Sequence, residues 1–198
     1  MPRYFYEFPK LLYTRDGVTN LVTNLLTRIA TVKGEIDTSA LYYEYVIKDG
    51  DTPEIIASKY YGDAELHWVV LIFNDIIDPF YDWPMEYRQF IKFLTDKYGS
   101  PATAQTTIHH YEKTVQTTDN TSGEVTTRVY TIDLESYNDL PAEPTEFINN
   151  MVTEITSRGI VYSYDYENEL NESKRQINLV RKELIGVIKD QFKQLMSV

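Results

Sequence analysis

Residues 45–63 read YVIKDGDTPEIIASKYYGD, and this stretch decides the fold reading. Tyr45, Val46 and Ile47 favour a strand. Asp49-Gly50-Asp51 signals a tight turn, because glycine tolerates positive φ and aspartate bonds its own nearby backbone. Thr52 is placed to cap a helix starting at Pro53, where a missing N–H is no loss, and Glu54 suits the positive helix end. Ile55, Ile56, Lys59 and Tyr60 fall on one stripe of that helix. Gly62 stops it as a glycine just past a helix end does. The spacing predicts strand, turn, short capped helix and glycine stop.

The run of Tyr45-Val46, Gly50-Asp51-Thr52, Ile56-Ala57 and Tyr60-Tyr61-Gly62 resembles the opening half of a LysM module. Glu65–Asn74 (ELHWVVLIFN) has an apolar body suited to that module's second helix, and Asn74-Asp75-Ile76-Ile77-Asp78-Pro79 is similar to its N-x-I-x-D-P exit. An ordinary LysM next shows a Gly-Gln-x-Leu strand that pairs with the first. Here the chain reads FYDWPMEYRQF, so the closing strand is expected to be absent or remodelled. That removes support from a glycan groove that depends on it.

The chain has 198 residues, enough for one compact domain or a small module with extensions. Its 17 tyrosines, within a 14% aromatic content, suggest contact surfaces, since tyrosine offers large area at low side-chain entropy cost. Packing at core edges is the plainer use of the same residues. The net charge of −11 is dispersed, without the Lys/Arg clusters that phosphate backbones or anionic membranes require. Nucleic-acid and membrane partners are therefore not expected. The sequence has no cysteine, which excludes disulfides and thiolate chemistry and suits a reducing compartment. The run Trp68–Phe73 is too short to cross a bilayer, and MPRYFYEFPK lacks the apolar core of a signal peptide. A soluble chain, not exported by that route, is the expectation.

Four segments follow from the pattern. Residues 1–41 read as an aromatic extended arm with a helix after Asp16-Gly17, on the spacing of Val18, Leu21, Val22, Leu25, Leu26 and Ile29. Residues 42–98 hold the LysM-like module and a following helix. Residues 99–164 are β-rich, with Thr107–Thr117 and Glu124–Leu134 predicted as a hairpin. Residues 165–198 read as one long amphipathic helix carrying Leu170, Ile177, Val180, Leu184, Ile188, Phe192 and Leu195. The fold class is α+β: a small LysM-like βαα(β) module with an N-terminal arm and helix, an inserted hairpin region and a long C-terminal helix. A stripe of that length asks for a partner surface beyond one small module.

Little in the chain suggests catalysis. His109-His110 are adjacent, and neighbours on a strand point to opposite faces, so they cannot chelate one ion unaided. His67 reads as a packing or surface residue. Neither a G-x-S-x-G elbow nor a phosphate-cradling loop is present. Asp75 and Asp78 form a carboxylate pair, but their place in the exit loop explains them as turn residues. No catalytic residue, metal ligand or cofactor is assigned.

Three stretches together resemble one family: FYEFPKLLY (Phe5–Tyr13), YYGDAELHWVVLIFNDIIDPFYDW (Tyr60–Trp83) and YENELNESKRQINLV (Tyr166–Val180). They are similar to the small LysM-bearing baseplate wedge protein of T-even-type contractile-tailed bacteriophages. The resemblance implies a virion structural protein of the tail baseplate, assembled in the host cytoplasm, without catalysis or cofactor. It would clamp the wedge core and help join adjacent wedges into the six-fold inner baseplate. Its implied partners are other wedge subunits: the helical wedge core, inner baseplate and sheath-initiating proteins. The LysM-like signature and the family's central one together fall on Tyr45, Gly50, Asp51, Thr52, Tyr61, Gly62, Trp68, Asn74, Asp75, Asp78, Pro79, Tyr81 and Trp83. Partner-binding candidates are Tyr4, Phe5 and Phe8 in the arm, with Glu167, Leu170, Asn171, Lys174, Arg175, Ile177, Leu184, Ile188 and Phe192 toward the C-terminus. The competing reading is a LysM module that binds peptidoglycan glycan.

Overall fold

In chain order the elements are β1 (Lys10–Arg15), β2 (Val18–Thr23), β3 (Tyr42–Val46), α1 (Pro53–Tyr61), α2 (His67–Phe73), α3 (Pro79–Asp82), α4 (Tyr87–Tyr98) and α5 (Pro101–Thr106). They continue as β4 (Ile108–Asp119), β5 (Val125–Ile132), α6 (Leu134–Asp139), β6 (Thr145–Ile148), β7 (Val152–Tyr162), α7 (Ser163–Ser173), β8 (Gln176–Val180) and α8 (Ile185–Met196). The computed structural model describes Phe5, residues 7–27 and residues 41–196. Mixed helix and sheet makes the class α+β. The chain forms two units: one from the segments before Tyr87 and after Glu172, the other from Tyr87–Glu172.

The first unit is built around β3. Its antiparallel partner is β8, with Tyr45 opposite Ile177 and Tyr43 opposite Leu179. A closing strand therefore exists, but it comes from near the chain's end rather than directly after α2. Of the expected absence or remodelling, the structure shows the remodelling, and the expectation of one C-terminal helix is corrected. The strand is not missing, and residues 165–198 are not one helix: α7 and α8 flank β8 and a 3-10 turn at Lys182–Leu184. The apolar steps from Leu170 to Leu195 suit a helix, but Ile177 and Leu179 in QINLV also alternate as a strand does. Pairing with β3 settles the choice, because it buries Ile177, Leu179 and Val180 in a core with Ile47, Ile56, Ala57, Trp68, Val69, Val70 and Phe192. The Trp68 and Phe192 rings lie 4.7 Å apart within it.

The N-terminal helix is also corrected. Val18–Thr23 is a strand, antiparallel to β1 in register Leu12↔Leu21 and Arg15↔Val18. Asp16 and Gly17 have φ of 52° and 78°, the left-handed pair that a two-residue hairpin turn needs. Val18, Leu21 and Val22 fit a helical spacing, yet the strand-forming VTNLVT next to a D-G turn prevails. Ile29, the end of the expected helix, and Tyr4 lie outside the described residues.

The second unit carries a four-stranded antiparallel sheet in the order β5-β4-β7-β6. The β4–β5 hairpin forms where the alternation places it. Asp119 caps its turn by accepting from the Thr121 and Ser122 N–H groups at 2.7 and 2.9 Å. In α4, Phe90 and Leu94 are buried, and the helix is tied to α7 by Lys97 and Tyr98, which donate to Glu167 at 2.6 and 2.8 Å.

Because Leu179 is wholly buried in the β3–β8 core, Leu179→Ala should destabilise the first unit by about 2–5 kcal/mol. Removing residues 176–198 should abolish that unit's cooperative melting, followed by circular dichroism. Unchanged melting of the truncated chain would show that β8 is dispensable to the core.

Candidate functional site

The turn after β3 is organised by one buried carboxylate. The Asp51 side chain is 4% exposed. Its Oδ2 accepts from the Tyr45 hydroxyl at 2.6 Å and the Lys48 N–H at 3.2 Å, and its Oδ1 accepts from Lys59 Nζ at 2.6 Å. Strand, turn and helix α1 therefore meet on one residue. Burial opposes ionisation of Asp51, but donation by Lys59, Tyr45 and the Lys48 N–H outweighs it and holds the carboxyl below its ordinary pKa. The Asp51 hydrogen bond, aided by burial, pushes the Tyr45 phenol up to about 12. Gly50, at φ 85°, allows the tight turn, and Thr52 caps α1 by accepting from the Ile55 N–H at 3.4 Å. Gly62, at φ 77°, closes the helix by donating to the Ser58 carbonyl at 3.0 Å.

A second polar group holds the closing strand. The Asn74 carboxamide donates to the Val70 carbonyl at 2.8 Å and the Asn178 carbonyl at 2.9 Å, and its Oδ1 accepts from the Asn178 N–H at 2.8 Å. One side chain thus pairs with both backbone groups of a β8 residue, as a neighbouring strand would. Asp75 follows in the left-handed region at φ 54°, which aspartate tolerates better than most residues.

From there the chain forms a projecting knuckle, Ile77–Trp83. Asp82 Oδ2 accepts from the Ile77 and Asp78 N–H groups, both at 3.0 Å, and these bonds hold its carboxyl below the usual pKa. Asp78 caps α3 through the Phe80 N–H at 2.9 Å, with Pro79 at its first position. Lys174 Nζ donates to the Tyr81 carbonyl at 2.5 Å, and Trp83 Nε1 donates to the Asp51 carbonyl at 3.0 Å. On this fixed backbone Ile77, Phe80 and Tyr81 are 84%, 91% and 76% exposed. Apolar groups held rigidly in solvent suit binding to another apolar surface, since little ordering remains to be done on contact.

The central signature thus divides. Asp51, Thr52, Gly62, Asn74 and Asp78 shape the backbone. Trp68 packs in the core. Tyr61 packs against it edge-on to Tyr60 at 4.9 Å, and burial pushes its phenol upward. Of that set, Tyr81 faces outward. The C-terminal candidates separate in the same way. Ile177 and Phe192 are buried in the first unit's core, and Glu167 and Asn171, which belong to the second unit, are buried as well. Phe8 is also buried, 6.2 Å from the Phe192 ring, whereas Phe5 and Leu170 are exposed. Leu184 and Ile188 are partly covered by the core. Arg175 pairs with Asp49 at 2.8 Å and donates to the Ile47 carbonyl at 3.3 Å, fixing the approach to β8. Sequence reasoning passed over Ile77 and Phe80 as loop residues. Their signal was apolar side chains within a polar Asp-Pro turn, where nothing local would cover them.

The two histidines are not held apart. A register irregularity between Ile108 and His110 brings their Nδ1 atoms to 2.8 Å, with His110 Nε2 2.9 Å from Glu112. No cluster of three or more potential ligands for a metal ion is found among the described residues. Nor is any described helix long and apolar enough to cross a membrane.

Compared with known families, residues 12–195 match the model of base plate wedge protein 53. The chain belongs to the base plate wedge protein 53 family. Among curated relatives it is similar to the baseplate wedge protein gp53 of Enterobacteria phage T4, 34% identical over 65 residues. That alignment covers 33% of this chain and 33% of the relative. The matched residues run through both units described above, so they cover β8, Asn74 and the knuckle of this chain.

Asp51 sets a pH dependence. Its folded pKa lies below its unfolded value of about 3.9, so its contribution is present above that value and is lost as pH falls through the folded one. Asp51→Asn should cost about 1.5–3 kcal/mol near neutral pH, by loss of charge-assisted hydrogen bonds. Between pH 5 and 2 the wild type should lose more stability than the variant, in melting curves taken at each pH. Parallel losses would remove Asp51 from the acid response.

Proposed function

We propose that this chain is a non-catalytic structural subunit of a contractile phage tail baseplate, located in the virion tail and assembled in the host cytoplasm. In this reading it clamps the wedge core and helps join adjacent wedges into the six-fold inner baseplate. Its partners are other wedge subunits, including the helical wedge core, inner baseplate and sheath-initiating proteins. The observation that carries the reading is the family match over residues 12–195. The knuckle supports it physically: Ile77, Phe80 and Tyr81 form an apolar surface preorganised by Asp78, Asp82, Lys174 and Trp83.

The order β3-α1-α2 with β8 closing the sheet is the strand-helix-helix-strand order of a LysM-like module, used here for protein docking. Asn74 and Asn178 hold that module together across the long intervening sequence. The same closing strand favours the second reading, glycan binding, because a LysM groove needs it. Titration calorimetry with chitin oligomers and peptidoglycan fragments separates the two. The structural reading expects no measurable heat, and micromolar affinity would reverse the ranking.

Phe80→Asp and Ile77→Asp should each weaken co-purification with the other wedge subunits without shifting the melting temperature, since neither side chain lies in the core. An anchor of hot-spot strength is worth about 2 kcal/mol or more, roughly thirtyfold in affinity. Retention of wild-type binding by both variants would take the knuckle out of the interface.

A further inference from the structure

The four-stranded sheet of the second unit ends in two unlike edges. β6 is four residues long and pairs with only part of β7, and a short edge strand offers little template for another chain. β5 is eight residues long, reads VTTRVYTI, and is exposed from Val125 to Thr131. Its register with β4 runs from Thr118↔Val125 to Tyr111↔Ile132 without a bulge. It contains neither proline nor lysine, and Arg128 is its one charge. Shortness, bulges, proline and lysine are the devices that blunt an edge, and β5 has none of them.

Backbone polarity along that edge follows from the hairpin. The Asp119 N–H donates to the Glu124 carbonyl at 2.9 Å, so these two residues form a hydrogen-bonded pair. Such pairs recur at every second residue of an antiparallel ladder. Thr126, Arg128, Tyr130 and Ile132 thus exchange bonds with β4. The N–H and C=O groups of Val125, Thr127, Val129 and Thr131 point to the open edge. Another extended strand offers donors and acceptors at that spacing.

The side chains select that strand. Antiparallel pairing of β5 with itself, about a twofold axis at Val129, sets Thr127 opposite Thr131 on one face and Arg128 opposite Tyr130 on the other. Threonine pairs, and a guanidinium beside an aromatic ring, are favourable cross-strand combinations. The alternatives are worse. An axis at Arg128 sets two arginines opposite each other, and like charges there repel. An axis at Thr127 runs Thr131 into the turn at Gly123, and an axis at Tyr130 leaves Arg128 beside Ile132.

We propose that two copies of the free chain join through β5, antiparallel about a twofold axis at Val129, into one continuous sheet. A twofold contact closes on itself, so the product is a dimer rather than a fibre. The pairing is independent of the structural role proposed above. The test is sedimentation equilibrium of the full chain over a concentration series, on wild type, Val129→Lys and Val129→Glu. Val129 is 54% exposed, so both variants should melt as the wild type does. Like charges meeting on the axis should weaken association by roughly tenfold in either variant alone. An equimolar mixture of the two variants, in which opposite charges meet, should regain it. Amide exchange followed by NMR should show Val125, Thr127, Val129 and Thr131 gaining protection as concentration rises. A wild type that stays monomeric, assemblies larger than a dimer, or a mixture no stronger than its components would each overturn the pairing. Protection of those amides only when other wedge subunits are added would give the edge to a different partner and overturn it as well.

Discussion

The buried Asp51 carboxylate is the constraint on which the first unit depends. It takes donors from β3, from the turn and from α1, so the strand and helix keep one geometry. Its backbone carbonyl meanwhile holds Trp83, and with it the base of the knuckle. A carboxylate in that position is tolerable only because every lone-pair direction it uses finds a donor. Core, turn and projecting surface are therefore coupled through one residue.

The second constraint is topological. The sheet of the first unit cannot close until β8 is available, and β8 follows the whole of the second unit in sequence. Contacts so far apart make closure costly in chain entropy and slow. Asn74 offsets part of this cost by giving Asn178 two backbone-like hydrogen bonds from a helix that is already formed locally. Arg175, paired to Asp49 and the Ile47 carbonyl, fixes the entering segment on the other side of the same turn. The unit thus joins a strand-turn-helix-helix segment to a remote strand, which Asn74 and Arg175 grip by polar contacts.

How much of this was legible in the sequence depends on range. Signals that act within a few residues read correctly: the Thr52 cap, the Pro53 start, the Gly62 stop and the β4–β5 hairpin are all present. The family resemblance was also legible, carried by the three stretches Phe5–Tyr13, Tyr60–Trp83 and Tyr166–Val180. Readings that depended on long-range pairing failed. QINLV looks helical beside Leu170 and Leu184, and only β3 makes it a strand. VTNLVT failed although its signal is local: the helical spacing was read over the adjacent D-G turn, whose hairpin with β1 makes it a strand. His109 and His110 were separated by an ideal pleat that a local irregularity removes. Burial was the least legible property: Glu167 and Asn171 have surface-type side chains, yet both sit inside the second unit, with Glu167 held by Lys97 and Tyr98.

The large exposed apolar side chains are therefore not all equivalent. Singly exposed hydrophobic residues are ordinary on any protein surface. Those of the knuckle and the β1–β2 hairpin differ because the backbone beneath them is held by hydrogen bonds that serve no core. Asp82 spends both contacts of one oxygen on the Ile77 and Asp78 N–H groups simply to fix a loop in solvent. The hairpin is fixed in the same sense, at its base by the Asn24 N–H donating to the Pro9 carbonyl and near its tip by the Thr14 and Thr19 hydroxyls. A free monomer gains little from rigid apolar projections, whereas an assembly subunit gains much, since ordering a loop on contact subtracts from the binding free energy. The distribution of rigidity, rather than hydrophobic exposure alone, is what sets these surfaces apart from ordinary exposed side chains.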